Sequence, residues 1–294
     1  MDTTTTTVLV GVDGSASGLA ALDWAAQEAH LRGAGLTLVH AYPASWVGIS
    51  PEYFLMSDPA GPTVPRFVEE ARTRVTVAHP ELRVDVRTVA DPPAHALVTL
   101  SADAALVVVG AHGRSALGRL LLGSVSQHVA THAHCPSVVV RGPSRDPALP
   151  VAVGLDDSDT ARAALVVALD EAALRGVPLL VVHSWQEPPH ASYGAWAPPA
   201  GLEEGMRTAA ERFVEEALAA CPDTHPDLDV RARVVKGHPV SALLTAANQA
   251  QLLVVGSHGH GAFPGMSFGS VATAALHEAE CPVLVVPRRA QPPA

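Results

Sequence analysis

The sequence predicts an α/β protein built as two tandem, doubly wound parallel-sheet domains, residues 1–145 and 146–294. Three observations carry that reading. The chain repeats itself, valine-rich apolar segments alternate with longer helical patterns, and each copy has the same glycine loop behind the same kind of strand. Apolar strands alternating with helices belong to a parallel sheet covered on both faces.

The repeat is direct. With Val8 set on Val151, "VGVDGS" (Val10–Ser15) lies on "VGLDDS" (Val153–Ser158), and "EAHLRGAGLTLVH" (Glu28–His40) on "EAALRGVPLLVVH" (Glu171–His183). With Arg66 set on Arg212, "RFVEEA" recurs, and "VADPPAHAL" (Val89–Leu97) lies on "VKGHPVSAL" (Val235–Leu243). So long a period is a duplicated domain rather than a solenoid unit, with its joint near Arg141–Pro150.

Within the first copy, Val8–Val12 reads as a buried strand and Ser17–Arg32 as a helix closed by Gly33. Leu36–His40 is a second strand, and Pro65–Val77 a helix. Leu82–Val89 has some strand alternation and Pro93–Ala102 is a short helix. Leu106–Val109 is a strand, Gly123–Ala133 a helix and Ser137–Arg141 a closing strand. The second copy repeats this order.

Bulk properties exclude several classes. A formal charge of -10 argues against nucleic acid, which demands a concentrated basic surface. No apolar run has membrane-spanning length, so no membrane is expected, and Met1–Thr7 lacks the pattern of a signal peptide. Three cysteines make no disulfide framework; Cys135 and Cys281 each precede a proline and an apolar strand, which suggests packing in a reducing cytoplasm.

The chemistry centres on "GAHGRSALGRLLLGS" (Gly110–Ser124) and "GSHGHGAFPGMSFGS" (Gly256–Ser270), both G-x2-G-x9-G-S. A phosphate needs converging N–H donors, and a helix N-terminus supplies them with a favourable dipole. Glycines permit positive φ and close approach of an anion to the backbone. Ser124 and Ser270 stand where a hydroxyl caps the helix or bonds a phosphate. A single such loop could merely connect strand to helix; its duplication favours a ligand. Neither a Walker A loop nor the dinucleotide fingerprint is present. The first strands end in Asp13 and Asp156, whose carboxylates suit ribose hydroxyls or an adenine amine, or else cap the following helix.

On these motifs, and on "LVHAY", "CPSVVV" and "CPVLVV", the chain resembles a tandem universal stress protein of the adenine-nucleotide-binding subclass over nearly its whole length. The resemblance implies a Rossmann-like, adenine nucleotide alpha hydrolase-like fold and ATP as ligand, with Mg2+ held through the phosphates. It puts Gly11 and Asp13 on the adenosine side and the backbone of Ala41 near the adenine. Gly110, Ala111, His112, Gly113, Arg114, Ser115 and Ala116, with Gly123, Ser124 and Val125, then hold ribose and phosphates. The second set is Gly154, Asp156, Ser184, Gly256, Ser257, His258, Gly259, His260, Gly261, Ala262, Gly269, Ser270 and Val271. The resemblance also implies pairing of domains through the last strands, Ser137–Arg141 and Pro282–Val286, and a homodimer.

Other features have weaker support. His258-Gly259-His260 and the group His128, His132 and His134 lack a full ligand set, so no metal site is expected. His40 and His183 read as supports for strand ends. No G-x-S-x-G occurs, and His112 and His258 fit loop shaping better than catalysis. Tyr42–Phe54 and Trp185–Trp196 concentrate aromatics in prolyl loops that read as lids or contact surfaces, or else as a local core. With the nucleotide motifs, the resemblance implies a nucleotide-binding stress-response regulator acting on an unidentified partner. A slow ATPase or nucleotidyl-transfer enzyme and an interaction module with empty sites are the alternatives.

Overall fold

A computed structural model describes residues 6–42, 64–113, 122–142, 145–187, 201–222, 224–259 and 268–288. The chain forms two compact units, one of which takes in residues 280–288 along with the first repeat.

In the first unit the chain runs β1 (Thr7–Gly11), α1 (Ala16–Leu31), β2 (Gly35–Ala41), α2 (Arg66–Ala78), β3 (Val84–Val89), α3 (Pro93–Leu100), β4 (Leu106–Gly110), α4 (Ser124–His132) and β5 (Ser137–Val140). A 3-10 turn, Ser101–Asp103, follows α3, so this helix stops short of Ala102. The strands lie in the order β3-β2-β1-β4-β5 and are parallel. Strand β1 therefore has β2 on one side and β4 on the other, with Val10 opposite both Leu38 and Val108. This is where the strand order reverses, and a crevice opens there beyond the carboxyl ends of such strands.

Central strands are buried on both faces because helices cover them. Val8, Val10, Val107 and Val108 are wholly inaccessible, while the outer strand β3 alternates half-buried and exposed positions. Helix α1 packs with small residues, Gly18, Ala21, Ala25 and Ala29, which let it lie close to the sheet. Ser15 caps it by accepting from Gly18 N–H, and Gly33 at φ +60° ends it.

The second unit repeats the order as β6 (Val151–Gly154), α5 (Asp159–Arg175), β7 (Leu179–Trp185), α6 (Leu202–Ala219), β8 (Val230–Lys236), α7 (Pro239–Ala247), β9 (Leu252–Gly256) and α8 (Ser270–Glu278). Here β6 lies parallel between β7 and β9, giving the same reversal. The closing strand of the second repeat, β10 (Val283–Val286), is built into the first unit. It pairs antiparallel with β5, Leu284 opposite Val138.

Among the described residues, the first helix of each repeat pairs a buried glutamate with an arginine. Glu171 is 2% exposed and is bonded by Arg175, while Glu28 meets Arg32 at 2.7 Å. The repeated "EA-x-LR" therefore closes the inner face of each first helix.

Candidate nucleotide-binding site

The site forms where the first strand of each repeat hands over to a turn. In the second unit Asp156 Oδ1 accepts the backbone N–H of Ser158 at 3.0 Å, and the Ser158 hydroxyl bonds the same oxygen. Ser158, not the aspartate, caps α5. The other carboxylate oxygen of Asp156 stands 2.7 Å from where a Cβ on Gly259 would be. The first unit repeats this. Asp13 Oδ1 accepts from Ser15 N–H at 2.9 Å, and Oδ2 lies 3.2 Å from a Cβ placed on Gly113. The aspartate thus orders its turn with one oxygen and faces the glycine loop with the other.

Among the described loop glycines, Gly110 and Gly256 are held to glycine by backbone crowding. None of Gly110, Gly113, Gly123, Gly256, Gly259 and Gly269 has the positive φ that the sequence suggested. A Cβ on Gly256 would stand 2.7 Å from the Thr160 carbonyl carbon, and one on Gly110 2.5 Å from the Ser17 carbonyl oxygen. The start of the first helix presses on the end of the fourth strand, and no backbone atom there can yield cheaply. Thr160 Oγ1 donates to the His258 carbonyl, and in the first unit His112 N–H donates to Ser17 Oγ. These hydroxyls tie the loop to the helix.

The loop then returns. Gly269 N–H donates to Ser257 C=O at 2.8 Å, and Gly123 N–H to Ala111 C=O at the same distance. Helices α8 and α4 start on Gly269 and Gly123 with no side-chain cap. Ser270 and Ser124 therefore do not cap; each is the first helical residue. The first helical bonds run from Thr273 to Gly269 and from Gln127 to Gly123. The three N–H groups before each have no acceptor within the helix, which favours an anion.

A cavity of about 370 Å³ lies in the second unit over these groups. Gly154, Asp156, Ser184, Gly256, His258, Gly259, Gly269, Ser270 and Val271 line it, while Ser257 is buried and does not line it. Its lining also includes apolar Leu155, Val182, Pro239, Ala242 and Leu243, with Gln186 just past β7. The sequence reading did not assign the α7 wall, although the match of "VADPPAHAL" with "VKGHPVSAL" signalled it. Leu243 and Leu97 sit at matched places, over Gly154 and Gly11 respectively.

In the first unit Asp13, Gly110, Ala111, His112, Gly113 and Gly123 come together through the contacts above. Val125 follows Ser124 in the first turn of α4, and Ala41 ends β2 opposite Val89. Arg114, Ser115, Ala116, His260, Gly261 and Ala262 lie outside the described residues, as do most of the aromatic prolyl loops. His40 and His183 support the strand ends as expected, each through Nδ1 to a carbonyl, Val12 at 3.0 Å and Leu155 at 2.9 Å. Rings of His128 and His132 stack on each other at 4.2 Å.

The universal stress protein family model matches residues 4–141 and again 149–287. The chain belongs to the universal stress protein family. This tandem universal stress protein is 37% identical to a universal stress protein from Mycolicibacterium smegmatis, with 95% of this chain and 96% of that one aligned. One from Mycobacterium tuberculosis is also 37% identical, over the same shares of the two chains. A universal stress protein crystal structure from Archaeoglobus fulgidus superposes with a TM-score of 0.63 at 19% identity, covering 99% of this chain and 100% of that one, and so shares the fold. Among the described residues no helix is long and apolar enough to cross a membrane.

Proposed function

We propose that each repeat of this universal stress protein holds one adenine nucleotide, ATP with Mg2+ on its phosphates, and that occupancy sets a conformation read by a regulatory partner in a stress response. The observation that carries this reading is the second-unit cavity. Its lining combines an apolar wall suited to a purine, a carboxylate suited to ribose hydroxyls and the uncapped N-terminus of α8 suited to phosphate. Asp156 and Asp13, the loop residues 110–116 and 256–262, and Gly123–Val125 and Gly269–Val271 are the residues assigned to binding. Repeats 1–145 and 146–294 are the two domains in this reading. The three free thiols favour a reducing cytoplasm, and a homodimer is the assembly proposed.

Acid release from the freshly purified protein, followed by nucleotide chromatography, tests this. ATP in amounts approaching two per chain is expected. Protein that yields no adenine nucleotide, and takes up none on incubation with ATP and Mg2+, would overturn the proposal.

A further inference from the structure

Three residues from two helix ends meet on the first unit, away from the nucleotide cleft. His30 stands in the last turn of α1, His79 ends α2, and Glu81 lies two residues on. His30 Nδ1 is 2.9 Å from Glu81 Oε1, and the His30 and His79 rings are 5.4 Å apart and tilted by 37°. One donor atom from each of the three lies within 4.8 Å of the other two. Metal bonds of about 2.0–2.2 Å in tetrahedral geometry place donors roughly 3.3 Å apart, inside that span.

The second repeat shows what is specific here. "HPEL" (His79–Leu82) matches "HPDL" (His225–Leu228), and both turns close through the leucine N–H to the histidine carbonyl at 3.1 Å. The turn is thus part of the fold. At the place of His30, however, the second repeat has Ala173, and its His225 meets Asp170 at 2.9 Å instead. Among the described residues, only the first repeat aims a second imidazole at the turn.

We propose that His30, His79 and Glu81 bind one divalent transition ion of the zinc class. Two imidazole nitrogens and one carboxylate suit Zn2+, whereas Mg2+ and Ca2+ want oxygen ligands throughout. His30 and Glu81 are 47% and 59% exposed, so the ion is reached from solvent and keeps a position for water. Bound there, it ties the end of α1 to the turn after α2.

The full chain, stripped with EDTA, is titrated with Zn2+ against a chromophoric chelator. His30→Ala is the safest variant, because alanine is what the second repeat carries at that place. One ion per chain should be lost in affinity by about tenfold or more in His30→Ala and in Glu81→Gln, since even outer-shell partners of a metal are worth 10–100-fold. His128→Ala/His132→Ala should keep it. Zn2+ should also raise the melting temperature of the native chain and not that of His30→Ala, while Mg2+ moves neither. Unchanged Zn2+ affinity in a natively folded His30→Ala chain, or loss of the ion in the His128/His132 variant instead, would overturn the proposal.

Discussion

Side chains of the same type carry different duties at different places. Gly256 is pressed by the Thr160 backbone at 2.7 Å, whereas Gly205, inside α6, has nothing within 4 Å of its Cβ position. Gly256→Ala should therefore cost about 1–3 kcal/mol through overpacking. Gly205→Ala should stabilise by about 1 kcal/mol, the helix propensity difference. Urea titration of both variants checks the opposite signs. The cysteines divide similarly. Burial pushes the Cys135 thiol up to about 12 and raises that of Cys221 as well, and Cys281 is wholly inaccessible. A thiol reagent at pH 8 should modify at most Cys221 in the native chain and all three after unfolding, because the thiolate is the reactive form. Fast labelling of Cys135 in the native state would show that its packing is wrong.

Elements are where the sequence was most and least legible. Strands β1 and β4 were found within a residue or two, because unbroken apolar runs after turn residues leave few other readings. Helix α1 was found as readily, since Gly33 ends it sharply. The ends of α3 and β3 were not, because the 3-10 turn continues the helical pattern and β3 is an outer strand with mixed exposure. The glycine loops were seen for their motif, but positive φ is not what Gly110 and Gly256 provide: their contacts with Ser17 and Thr160 are long-range and leave no local mark. The same holds for the ion pair inside α5. Its Glu171 and Arg175 look like an ordinary i,i+4 surface pair until burial is known. Arg175→Ala, which leaves a buried carboxylate uncompensated, should destabilise by about 3–5 kcal/mol. Arg32→Ala should cost less, because Arg32 is 24% exposed and water can replace it. Thermal and denaturant unfolding of the two variants ranks them directly.

At the scale of the whole chain, sequence and space divide differently. Strand β10 closes the second repeat but pairs with β5 of the first unit, Val283 opposite Val139. Residues 1–145 expressed alone would lack that partner and leave the apolar β5 with an open edge, which invites pairing with another chain. Sedimentation of this fragment should report a mass above the monomer, and a soluble, strictly monomeric fragment would count against the role given to β10. The duplication itself makes the central claim countable. Two cradles of the same build, each with an aspartate facing a glycine loop and an uncapped helix start, should give two nucleotide sites per chain. Calorimetric titration of nucleotide-free protein with ATP and Mg2+ measures that number. The account predicts two ATP per native chain, and one each for Gly113→Glu and Gly259→Glu, where a side chain and a negative charge enter the cradle. Two ATP still bound by either variant, or none bound by a natively folded wild-type chain, would contradict it.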